Sequence, residues 1–178
     1  MADASIAVML TLRNEDSTLR GTITTDAGGR TKYGIAEVDN PDLWDANHPE
    51  GPTLEEAILR YTSQYWPLAF AQLNSQHVAD FIFDLGVNIG KFHAAQIFQR
   101  AISWTGVTVT IDGVIGAETV HAANSCDDAE LIPAILKEAD AYYTLLATIK
   151  PEDSVYLKGW LARMQRDATQ VDTGLTAE

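Results

Sequence analysis

Glu15, Asp26 and Thr31 fall within one short stretch, RNEDSTLRGTITTDAGGRTKYGI, residues 13–35. A carboxyl at the end of a helix and another at the turn of a small hairpin suit cleavage of a glycosidic bond. One group donates a proton to the leaving oxygen, while the other organises water or offsets positive charge on the sugar. Glu15 stands where helix carbonyls point outward. Negative charge is disfavoured there, which suits a group that must hold its proton. A Glu-Asp pair after a helix is also ordinary solvated surface, and the pattern alone leaves both readings open.

Other chemistries find little support. His48, His77, His93 and His121 form no His-Glu-x-x-His or comparable zinc spacing. Cys126 sits in a polar turn with no His motif around it, and reads as a free surface thiol. No metal and no cofactor is expected. Asp80, Asp84 and Asn88 stand four residues apart, making a polar stripe that reads either as a solvated face or as ligand contacts. Asp112-Gly113 to Gly116 lacks the ligand series of a calcium loop and reads as a tight turn entering a helix.

The elements that must position these groups follow from period and punctuation. Ile6, Met9, Leu10 and Arg13, with Val8 beside them, repeat at helical spacing and predict an amphipathic helix ending near Glu15. β-Formers at 22–25 and 31–35, with a turn at Asp26-Ala27-Gly28-Gly29, predict a hairpin or three-stranded ribbon. Pro41, Pro49 and Pro52 mark residues 37–52 as a loop. Thr53-Leu54-Glu55-Glu56 is a capping box, so a helix should run from there to about Tyr65, before Trp66-Pro67. Val78, Phe81, Ile82, Leu85 and Ile89 form the clearest apolar stripe, and Phe92, Ala95, Phe98 and Ala101 continue in another helix. Helices are expected over about 117–124, from about 128 to 146, and from Pro151 onward with Tyr156, Trp160, Leu161 and Met164 on one side. Residues 172–178 read as a flexible tail.

The chain has 178 residues, 46% of them hydrophobic, enough for a real core and too apolar for disorder. Its net charge of −13, from 25 acids and 12 bases, repels nucleic acid and anionic lipid. Residues 13–33 depart from this, with Arg13, Arg20, Arg30 and Lys32 against Glu15, Asp16 and Asp26. No apolar run approaches the ~20 residues of a membrane helix. Ile6 to Leu10 is too short for a signal peptide, so synthesis in the cytoplasm and release by another route is the expectation.

Residues 26–35, Asp-Ala-Gly-Gly-Arg-Thr-Lys-Tyr-Gly-Ile, resemble the Asp-Pro-Gly-Gly-x-Thr-x-x-Gly-Ile motif of the N-acetylmuramidases of glycoside hydrolase family 108. Further motifs follow in order. Phe83-Asp84 to Asn88 and Gly90 is similar to the family's Phe-Asp-x-x-x-Asn-x-Gly, and Ala94-Ala95 to Gln99 and Ala101 to its Ala-Ala-x-x-Leu-Gln-x-Ala, with Phe98 in the Leu place. Val109 to Thr119 resembles its Val-Asp-Gly-x-x-Gly-x-x-Thr turn, and Gly159-Trp160 to Arg163 a late Gly-Trp-x-x-Arg. Asp16-Ser17 stands where the family has Gly-Gly, and the Glu15-to-Asp26 spacing is about two residues longer.

The resemblance implies a mainly α, α+β, lysozyme-like helical domain with a small N-terminal β-hairpin lobe. It implies a muramidase region at 1–72 and a peptidoglycan-binding region at 73–171 of the same domain. Glu15 would be the general acid, Asp26 the base or electrostatic partner, and Thr31 would help hold the attacking water. Tyr33 would either lie in the cleft against a sugar ring or pack within its strand. Asp84 and Asn88 would line the cleft and bond sugar or peptide groups, or else fix the hairpin loop. The implied partner is bacterial peptidoglycan, with no nucleic acid, no membrane insertion and a monomeric state. The setting would be a phage endolysin, a virion lysin or a bacterial muramidase. A catalytically inactive wall-binding module of the same fold is the alternative, and an acidic helical adaptor is a third.

Overall fold

The computed structural model describes residues 1–16, 18–26 and 29–169, with the backbone alone at Asp26. The chain divides into two units, Ala4–Trp66 and Met1–Asp3 with Pro67 onward. The fold is mainly helical with one small antiparallel sheet, the class expected.

The Ala4–Trp66 unit opens with helix α1, Ala4–Glu15. Its buried residues are Ala7, Val8, Thr11 and Leu12, not the Ile6-Met9-Leu10-Arg13 stripe the period suggested. Residues 6–10 are apolar throughout, so periodicity alone could not choose the face. Three strands follow: β1 (Thr24–Asp26), β2 (Gly29–Lys32) and β3 (Ile35–Ala36), in the order β1-β2-β3. Thr24 pairs with Thr31 and Asp26 with Gly29, while Lys32 pairs with Ile35. The turn expected at 26–29 includes Ala27 and Gly28, which lie outside the described residues, as does the tail at 172–178.

The β2–β3 connection is Tyr33-Gly34, with φ of 53° and 74°. Two residues of positive φ make the hairpin turn whose twist matches that of paired strands. Helix α2, Leu54–Gln64, starts at the expected capping box. The Thr53 hydroxyl accepts from the Glu56 amide at 3.2 Å, and the Glu56 carboxylate accepts from the Thr53 amide at 2.8 Å. Its buried Ala57 and Tyr61 lie on the side that packs on α1.

The second unit contains α3 (Gln76–Ile89), α4 (Lys91–Trp104), α5 (Ala117–Asn124), α6 (Asp128–Ile149) and α7 (Leu157–Thr169). Helix α3 is buried at every position from Val78 to Gly86, so it lies within the core rather than on its rim. Helices α4, α6 and α7 pack around it. Gln99 of α4 is buried and clamps the turn before α5. Its amide nitrogen donates to Asp112 Oδ1 (2.8 Å) and the Val114 carbonyl (3.0 Å), and its oxygen accepts from the Gly113 amide (2.9 Å). Gly113, at φ 77°, lies under the Phe92 ring, where a Cβ would collide. Phe92 is therefore exposed over this turn instead of joining the stripe expected for it. Pro151 opens a 3-10 helix, Pro151–Tyr156, and the α-helix proper begins only at Leu157.

Candidate active site

Glu15 is the last residue of α1, one turn beyond Thr11 and Leu12 on the helix's buried side. Its side chain therefore points toward the sheet. A Cβ added to Gly34 would lie 3.1 Å from Glu15 Cγ and 3.5 Å from its carboxyl carbon, and would collide with the Tyr61 hydroxyl. A glycine in the β2–β3 turn thus lets the Glu15 carboxyl approach the hairpin, while Glu15 itself stays exposed. The Tyr61 hydroxyl donates to the Tyr33 carbonyl at 3.2 Å, fixing the turn from beneath.

Tyr33 is only 8% exposed. Its hydroxyl donates to the Leu19 carbonyl at 3.3 Å, and a Cβ on Gly21 would come within 2.5 Å of that oxygen. Of its two sequence readings, the burial fits packing, because the ring is spent supporting the 18–21 loop. The loop is held from its other end by Asp16. That carboxylate accepts from the Thr18 hydroxyl (2.7 Å), the Thr18 amide (3.0 Å) and the Gly21 amide (2.8 Å). The Thr18 hydroxyl first, then the backbone amides, hold the Asp16 carboxyl below the usual range. A residue that departs from the Gly-Gly pattern therefore builds the loop next to Glu15. Ser17 lies outside the described residues.

Thr31 sits half-buried in the central strand between Thr24 and Ala36. Asp26 closes β1 opposite Gly29. Glu15, Asp26, Thr31 and Tyr33 thus belong to one unit, arranged around one helix end and one three-stranded sheet. A separate cleft of the same unit is lined by Asp42, His48, Glu56 and Arg60. Its charges are committed: His48 bonds Asp45 (2.8 Å) and Glu56 (2.9 Å), and Arg60 bonds Asn40 (3.0 Å) and Asp42.

Asp84 and Asn88 lie in the other unit, Asn88 exposed and Asp84 shut away from any substrate. Asp84 is 0% exposed. Arg163 of α7 grips it with two bonds, Nε to Oδ2 at 2.7 Å and Nη2 to Oδ1 at 2.8 Å. The Asn88 amide donates to the Asp84 carbonyl (2.9 Å) and carboxylate (3.2 Å). The polar stripe is neither a solvated face nor a ligand row at Asp84, because α3 is buried all round and its charge must be paired internally. Sequence reasoning did not foresee this partnership, since the two residues lie 79 positions apart. Among the described residues, no group of three or more His, Cys, Asp or Glu is placed to hold a metal ion. No described helix is long and apolar enough to cross a membrane.

Residues 21–90 match the family model described as Glycosyl hydrolase 108, and residues 93–165 match the one described as Predicted Peptidoglycan domain. The first segment is thus similar to the glycosyl hydrolase 108 family and the second to the peptidoglycan domain family. A solved structure titled "Structure of Brucella abortus SagA" shares the fold at a TM-score of 0.71 and 23% identity, covering 93% of this chain and 91% of that one. No curated protein matches. The two family matches support a glycoside hydrolase with peptidoglycan as substrate or partner. The first match begins at Gly21, so Glu15 stands ahead of it.

Proposed function

We propose that this protein is a muramidase that cleaves the peptidoglycan strand between N-acetylmuramic acid and N-acetylglucosamine. Glu15 protonates the glycosidic oxygen, Asp26 activates or orients the water, and Thr31 helps to hold that water. The observation that carries this reading is the approach of the Glu15 carboxyl to the Gly34 turn, beside strands of the glycosyl hydrolase 108 segment. Division of labour follows, with hydrolysis by the first unit and wall binding by the second. An endolysin-like or virion role fits this activity.

The test incubates purified peptidoglycan with wild type and Glu15→Gln, followed by borohydride reduction and mass spectrometry of the released fragments. New muramitol ends from wild type, reduced at least ~100-fold in the variant, are the expected result. Ends that persist undiminished in Glu15→Gln would remove Glu15 from the mechanism. A second reading is a wall-binding module without turnover. It is favoured by the start of the family match after Glu15 and by Asp16 in the Gly-Gly place. Wall binding with no new ends from either protein selects it.

A further inference from the structure

Helices α4 and α6 meet along a seam whose outer side carries an unusual set of groups. Trp104, at the end of α4, is 62% exposed, yet it is held in place. Its indole nitrogen donates to Glu138 at 2.7 Å, and the Lys137 ammonium lies 4.1 Å from its ring centre. Arg100 fixes the same Glu138 at 2.8 Å. Further along the seam, His93 of α4 meets Tyr142 of α6, ring centres 5.5 Å apart. His93, Arg100 and Trp104 stand at i, i+7 and i+11 of α4, and Glu138 and Tyr142 at i and i+4 of α6, so each set lies along one helix face. The contacts between them bring the two stripes together.

A large exposed ring usually costs order as well as solvation. Here Glu138 holds the indole nitrogen and Lys137 sits over one ring face, so the exposed remainder is ordered in advance, which lowers the ordering cost of anything that stacks on it. The seam carries exposed aromatic rings at both ends, Trp104 and His93, with charged donors and acceptors between them. A pyranose presents the complementary surface, an apolar C–H face bounded by hydroxyls and N-acetyl groups. Arg100 and Lys137 against Glu138 leave a local charge of +1 in a chain of net −13. All six residues fall within the segment matching the peptidoglycan domain.

We infer that the α4–α6 seam is a binding site for the glycan strand of peptidoglycan, with Trp104 as its main stacking platform. This rests on the wall-directed reading above and adds a site separate from Glu15.

The experiment measures sedimentation of the full chain with insoluble peptidoglycan, in a Glu15→Gln background so that the wall is not consumed. Soluble N-acetylglucosamine oligomers and free stem peptide serve as competitors. Trp104→Ala should weaken binding by about tenfold or more, the cost of a lost aromatic anchor. Trp104→Phe should restore most of it, and the sugar oligomer should compete. His93→Ala, at the other exposed end, should weaken binding independently, so the test survives if Trp104→Ala does not fold. Parent-like binding by Trp104→Ala and His93→Ala, with unchanged melting, would overturn the seam alone. Competition by stem peptide and not by sugar would overturn its assignment to glycan. Absence of wall binding by the parent would overturn the wall-directed reading and the seam with it.

Discussion

Asp84 shows how one residue's chemistry depends on what surrounds it. Its carboxylate is fully buried, and Arg163 and Asn88 supply the donors that burial demands. Removing one member of such a pair leaves the other charge without compensation. Asp84→Ala or Arg163→Ala should therefore cost about 3–5 kcal/mol in urea unfolding, far more than an exposed pair would. The double change Asp84→Leu with Arg163→Leu should recover part of the loss, because neither charge of the pair is then left buried without the other. Single-variant costs under about 1 kcal/mol would show the pair to be dispensable. Glu15 is the opposite case, an exposed carboxyl whose meaning comes from the turn it approaches.

Among the elements, the loop before α2 is tied down by titratable groups. His48 bridges Asp45 in the loop and Glu56 in the first turn of α2. The Asp45 bond first, then the Glu56 bond, raises the His48 pKa above the ordinary value of 6.5. A histidine raised on folding stabilises the protein fully below its unfolded value and loses that contribution as pH rises through the folded value. Wild type should therefore melt above His48→Gln at pH 5–6, and the gap should narrow as pH climbs past about 6.5. A gap that is constant or widens with pH would contradict the bridge. The β2–β3 turn works differently, by shape: positive φ at Tyr33 and Gly34 places a bare glycine under Glu15.

At the scale of the whole chain, charge sets the approach to the wall. The molecule carries −13, while residues 13–33 sum to +1, leaving −14 on the remainder. Peptidoglycan bears carboxylates, so the acidic body opposes association and salt screens that opposition. Hydrolysis of suspended walls should rise as salt increases from low to moderate ionic strength. A flat or falling profile would mean that attraction through Arg13, Arg20, Arg30 and Lys32 outweighs the body's repulsion.

Much of this was legible beforehand because it depends on neighbours in sequence. The capping box at Thr53, the end of α1 at Glu15, the small sheet and the order of the helices all follow from propensity, period and punctuation within a few residues. The candidate groups Glu15, Asp26 and Thr31 were legible as types at a spacing. By itself, then, the sequence determined the class of fold and the stretch where chemistry should be sought. Tertiary structure alone decided which side of α1 is buried, since residues 6–10 are apolar throughout. It decided that Tyr33 supports a loop, that Asp84 belongs to Arg163, and that Trp104 stands ordered at the surface. Each of these outcomes requires a partner distant in sequence, and the burial that gives a charge or a ring its role is created only when distant helices pack.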